Sequence, residues 1–170
     1  MACSFVSVGN AIAKEIRSAR DAGTFSVDEF EAACLWSERE HDLQTLDELR
    51  VDVAPLGYVD RLKSRGSWSQ ICSYQVGVRK RFSSEHRTRK GREFDADVTF
   101  LIDLTSIVLR YFMPVRPDHQ GRRLADVTAA AWVEPKEGQT RVWVDWDSLR
   151  DLGQFSAWFP LTYEVAEASA

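Results

Sequence analysis

Apolar residues near the N-terminus recur at helical spacing: Phe5, Val8, Ile12 and Ile16 form one stripe, with Ala11, Ala13 and Ala19 beside it. Ser4 or Ser7 can cap the start, and Gly23 stands where a C′ glycine belongs. The spacing predicts an amphipathic helix over about residues 5–22. The period then changes to two. Phe30, Ala32, Cys34 and Trp36 alternate with Glu29, Glu31, Ala33 and Leu35 and read as a strand. A polar stretch, Ser37 to Leu46, follows. Leu49, Val51 and Val53 alternate with Arg50 and Asp52, predicting a half-buried strand stopped by Pro55 and Gly57. The third strand is the longest, with Trp68, Gln70, Cys72, Tyr74, Val76 and Val78 on the drier face.

Residues 83–93 are polar and basic without periodicity. A second helix is predicted from about Phe94 to Phe112, with Val98, Leu101, Thr105, Val108 and Phe112 as its central stripe and Pro114 ending it. Residues 114–126 read as a long loop. Short strands are expected at Ala130–Val133 and Arg141–Val144, with Glu137-Gly138 as a turn between them. Asp145 to Leu152 suits one or two helical turns. The last strand should run from about Phe155 to Val165, where the internal Pro160 argues for an edge position or a bulge. The order helix, three strands, helix, strands describes one α+β domain spanning residues 1–170, with two helices on one face of a mostly antiparallel sheet.

Composition excludes several classes. Apolar residues make up 44% and charged residues 28% of 170, as in an ordinary globular chain able to bury a core without staples. A net charge of −4 argues against a dedicated nucleic-acid-binding domain. No apolar run is long enough to cross a bilayer, so no membrane partner is expected. Met1 to Asn10 lacks the pattern of a secretory signal. Three scattered cysteines (Cys3, Cys34 and Cys72) suit free thiols in a reducing cytoplasm better than a disulfide or zinc framework.

Catalytic and cofactor signatures fail in turn: no nucleophile elbow, phosphate loop, dinucleotide fingerprint or H-E-x-x-H occurs. His41, His86 and His119 lie in polar segments read as loops. Glu38, Glu40, His41 and Asp42 match no ligand spacing and read as a solvated charged loop. Asp95 with Asp97, and Asp145 with Asp147, are explained by helix N-termini. The expectation is a non-enzyme without cofactor or metal.

Two anomalies remain. Arg79, Lys80, Arg81, Arg87, Arg89, Lys90 and Arg92 crowd one strand end and the segment after it. This run is either a solvated loop that discourages edge pairing or an arm for an acidic surface or phosphates. Arg87, Arg89 and Arg92 are spaced for carboxylates, and the arm is expected to stand away from the core. The second anomaly is six tryptophans. Trp158 falls on the opposite face from Phe155, Ala157 and Phe159, and Trp143 and Trp146 lie in the irregular region before it. Outward aromatics need cover, either from a neighbouring subunit or from a second layer of the same one.

Several segments are similar to known ones. Val8-Gly9-Asn10-Ala11-Ile12 resembles the V-x-N-A-[IV] opening of small proteins encoded in tailed-phage and prophage structural modules. His41-Asp42-Leu43 through Leu46, then Leu49-Arg50-Val51-Asp52-Val53-Ala54-Pro55, resembles that group's D-L…L…L-x-V-x-V-x-P run. Val76-Gly77-Val78-Arg79-Lys80-Arg81 is similar to its third strand. Gln154-Phe155 and Leu161-Thr162-Tyr163-Glu164-Val165 are similar to its end. The segments span most of the chain in the group's order, and depart from it in the basic insert and the 134–147 region.

The resemblance implies an α-β-β-β-α-β tail-terminator or tail-completion protein of the neck. Such a protein is a virion component, assembled in the host cytoplasm as a homo-oligomeric, sixfold ring at the head-proximal end of the tail. Its partners would be the tail tube protein and the head–tail connector, with non-specific contact to DNA in the lumen. The competing expectations are an adjacent head–tail joining adaptor and a nucleic-acid-binding module using the basic arm. Candidate interface residues are Arg79, Arg81, Arg87, Arg89, Lys90, Arg92, Trp143 and Trp158.

Overall fold

In the computed structural model, residues 4–27, 29–35, 47–64, 67–83, 92–114, 121–134 and 142–167 are described. Helix α1 spans Ser4–Asp21, β1 Glu31–Cys34, β2 Arg50–Ser64, β3 Ser67–Arg81 and helix α2 Arg92–Phe112. Strand β4 covers Ala130–Trp132, β5 Trp143–Val144, helix α3 Trp146–Leu152 and β6 Gln154–Glu167. The sheet runs β1-β2-β3-β6-β4, with β5 also on β6. Only β1 and β2 are parallel; the other pairs are antiparallel. The fold is α+β.

The predicted helical stripes are the buried ones. Val8, Ala11, Ile12, Ile16 and Ala19 of α1 enter the core, as do Val98, Leu101, Leu104, Thr105, Val108 and Phe112 of α2. Helix α1 packs on β1, β2 and β3, and α2 on β6 and β3. Their shared floor is Val51, Val53, Cys72, Tyr74, Val76 and Val78 with alternate residues of β6 from Phe155 to Val165. Helix α1 ends as its sequence requires. Gly23 adopts φ +70°, its N–H donates to Arg20 O at 2.8 Å, and Thr24 N–H reaches Ala19 O at 2.9 Å.

Both prolines thought to interrupt strands lie inside them. Strand β2 does not stop at Pro55 and Gly57 but continues to Ser64, with a register shift between those two residues. Leu35 N–H donates to Val53 O, so by the two-residue period Pro55 also directs its backbone nitrogen away from β3, past the end of β1. No ladder bond is lost there. Gly57 takes φ +153°, a backbone that side chains disfavour, and the irregularity is thereby accommodated rather than terminal.

Pro160 corrects the expectation for the last strand. It lies in neither an edge strand nor a bulge, because β6 pairs continuously with β3 and opposes Pro160 to Gln75. On the other side of β6, Val133 N–H donates to Thr162 O and Asp145 N–H to Ser156 O, both at 2.9 Å. Even-numbered residues therefore face β4 and β5, and Pro160 falls in the gap between those two short strands. β4 and β5 pair with β6, not with each other; the turn expected at Glu137-Gly138 lies outside the described residues.

Residues 121–126, the described end of the expected loop, are irregular in backbone but anchored to the core. Leu124 is fully buried, Tyr163 donates to Arg122 O at 2.8 Å, and Lys14 pairs with Asp126 at 2.8 Å. Glu15 accepts from Ala125 N–H and Tyr111, both at 3.2 Å, while the Arg122 guanidinium lies 4.1 Å from the Tyr111 ring centre. Burial pushes the Tyr163 and Tyr111 hydroxyls above their usual range, so both remain neutral donors.

Candidate assembly surfaces

Cross-strand partners share a face, so register alone assembles the surface opposite the helices. One row crosses the sheet as Asp52, Gly77, Trp158 and Trp143. The next is Arg50, Arg79 and Ser156. Trp143 stacks on Trp158 with ring centres 4.6 Å apart and planes 24° from parallel. Trp158 is half-buried, while Trp143 remains 40% exposed. The outward tryptophan is thus covered in part by its own subunit, and the covering ring presents its own surface outward.

Beside the pair lies a charged cluster. Asp52 is buried, with Arg50 Nε 3.6 Å from its Oδ1. Arg50 also holds Glu31 at 2.9 Å. A side chain at Gly77 would stand 3.6 Å from Trp158 Cβ and 3.7 Å from Arg79 Nε. Both are ordinary contact distances, so Trp158 and Arg79 border Gly77 without requiring a glycine there. Arg79 Nε is buried and makes no hydrogen bond among the described residues. Arg81, the last residue of β3, is half-buried opposite Gln154. The charges of Arg50, Arg79 and Arg81 therefore lie on the sheet itself.

The basic arm itself is shorter than expected, since Arg92 and Glu93 are the first residues of α2. Phe82 and Phe94 meet at 5.1 Å and join the two ends of the segment. Arg87, Arg89 and Lys90 lie outside the described residues, as do Trp36, His41, His86, His119 and the Glu38–Asp42 cluster. The structure thus brings Arg79, Trp143 and Trp158 onto one face and places Arg81 at the same end of β3.

A surface that the sequence did not disclose is the distal half of the β2–β3 hairpin. Leu56, Tyr58, Val59, Leu62 and Trp68 are each 49–65% exposed there. Tyr58, Leu62 and Trp68 point to the helical side, and Val59 to the other. In the sequence Pro55 and Gly57 mark a strand end, and Trp68 shares the alternation of Cys72, Tyr74 and Val76, so the pattern does not disclose their common exposure. Lys63 and Ser69 fasten this end to β6: Lys63 Nζ and Ser69 Oγ reach Glu164 Oε1 at 2.9 and 2.6 Å. Those two donors, with Lys63 first, hold the Glu164 carboxyl below its usual range.

Comparison of the sequence with known protein families yields no match, and comparison with curated proteins yields none either. Cys34, the half-buried thiol, is pushed up to about 11 by burial and so stays protonated at neutral pH. Among the described residues no three His, Cys, Asp or Glu side chains gather as a metal would require. No described helix is long and apolar enough to cross a membrane. What the arrangement can do is pack: planar aromatics and paired charges on one sheet face, and an apolar hairpin at one end.

Proposed function

We propose that this chain is a structural virion protein of the tail-terminator type, a ring at the head-proximal end of a phage tail. In this reading the ring completes the tail tube and joins it to the head connector, and the chain performs no reaction. The observation that carries the reading is the Trp143–Trp158 stack on the helix-free face of the sheet. A large aromatic pair held outward on a rigid strand is costly in isolation and useful where a neighbour covers it. The element order and the sequence resemblance support the same reading. Subunits joined through unlike surfaces close into a ring when their rotation permits, and a ring can copy the symmetry of the tube below it.

The test is a reconstruction of the phage particle. Copies of this chain should form a closed ring between the tube and the connector; isolated, asymmetric copies would overturn the proposal. Loss of the gene separates the two neck roles. A terminator's absence should give tubes of uncontrolled length, whereas an adaptor's absence should leave finished tails and heads unjoined. Trp143→Ser should keep the subunit fold and impair completion of the particle.

A further inference from the structure

We propose that the distal β2–β3 hairpin of one copy docks into an acidic, apolar-floored cleft of the next copy, making a head-to-tail contact. The inference deepens the ring reading by naming its interface. The hairpin's five exposed apolar side chains leave roughly 500 Å² bare, a large share of the ~800 Å² that each partner buries in a standard interface. They lie on both faces of a two-stranded ribbon. Such a ribbon covers little of itself by lying flat on a surface and far more by entering a cleft.

A cleft of suitable chemistry exists where β2 begins. It has a volume of about 660 Å³, and Glu29, Glu31, Asp47 and Glu48 line it around Phe30 and Phe100. Glu31 is paired with Arg50 and Lys80 also borders the cleft. Glu29, Asp47 and Glu48 make no ion pair among the described residues, and Phe100 is 45% exposed on α2. The hairpin edge carries Arg61 and Lys63. Lys63 is committed to Glu164, whereas Arg61, near enough to help hold that carboxylate charged, makes no direct ion pair among the described residues. The neighbouring Asp60 accepts from Gln70 at 3.0 Å. Among the described hairpin residues, Arg61 is thus the cation available to meet the cleft's carboxylates.

The exposed apolar hairpin and the acidic cleft complement each other on one chain, which makes another copy the fitting occupant. Leu49 in the cleft and Val59 on the hairpin belong to one continuous extended run, which holds them roughly 30 Å apart. A chain cannot fold its own hairpin back into its own cleft. Each copy therefore offers one hairpin and one cleft to others, the condition for a heterologous contact.

Sedimentation of the full-length protein up to millimolar concentration tests the contact. The wild type should self-associate at low salt and less at high salt. Val59→Ser with Leu62→Ser should weaken association about tenfold or more. Arg61→Glu and Glu48→Lys should each weaken it about tenfold, and the two together should restore most of it, because the ion pair is reversed rather than removed. All four positions are exposed, so the subunit's circular dichroism should be unchanged. A wild type that stays monomeric throughout, or a double charge variant no better than the single ones, would overturn the proposal. Self-association with this pattern in a protein absent from the neck would remove the functional reading alone. A neck ring whose hairpins avoid the neighbour's Glu48 would remove this interface alone.

Discussion

Phe5 of α1 and Tyr58 of β2 meet ring to ring at 5.4 Å, and Phe5 also stacks on Tyr74 of β3 at 5.2 Å. Tyr74 in turn donates its hydroxyl to Phe5 O. One side chain at the start of the helix therefore marks where helical cover of the hairpin gives way to open ribbon. Residues on the core side of that point are buried, whereas Leu62 and Trp68 beyond it are exposed.

Phe5→Ala should remove both ring contacts and lower stability by about 1–3 kcal/mol, less than a fully buried phenylalanine because Phe5 is half-buried. Denaturant unfolding should show a lower midpoint with an unchanged slope. An unchanged midpoint would mean that the stack contributes nothing.

Leu101 is 2% exposed in the middle of α2. Leu101→Asp places a charge with no prepared partner between helix and sheet, and should cost several kcal/mol. Thermal unfolding is the check: the same temperature midpoint as wild type would contradict the helix packing described above.

Gly121 carries a steric demand rather than a conformational one. A Cβ there would lie 2.5 Å from Trp132 ring atoms, well inside contact distance. Gly121→Ala should cost about 1–3 kcal/mol through displacement of the indole, and Gly121→Val more. Tryptophan fluorescence should shift with the loss of stability; a silent substitution would show that Trp132 moves aside freely.

Acid should loosen the hairpin end first. The Glu164 carboxyl is held below its usual range in the folded chain, so its contribution is complete above the unfolded-state pKa of about 4.3 and is lost as pH falls through the lower folded value. Glu164→Gln should flatten that part of the acid limb while changing stability little near neutrality, since Lys63 is substantially exposed. Hydrogen exchange at Ser69 and Ile71 is the local readout. A variant with the wild-type acid limb would exclude Glu164 as its source.

Periodicity carried most of the fold because helix stripes and strand alternation report one buried face, and here the face is the same for α1, α2, β3 and β6. It misjudged prolines at two places for one reason. Pro55 and Pro160 both turn their nitrogen towards a side with no partner at that position, and which side that is depends on the lengths of β1, β4 and β5. Those lengths are tertiary facts. Trp158 was legible as an outward aromatic because its parity is opposite to Phe159, and the proximity of Trp143 required the short β5 to be placed. The exposed hairpin was invisible for the complementary reason. Leu62 and Trp68 have core parity, yet no described helix extends over them.

β6, the last of the described strands, is an interior strand of the sheet. β6 fills the position between β3 and the β4–β5 edge, and its partners on β3 were translated long before it. Until β6 leaves the ribosome, β3 has one bare edge and Tyr74, Val76 and Val78 lack their neighbours. The hairpin can form early, since its contacts are local, but closure across β6 waits for that later strand and for a slow, long-range search. Synthesis thus has its own checkpoint: a truncated copy lacks the strand that carries Trp158 and braces Lys63, and so enters no assembly as a near-native impostor.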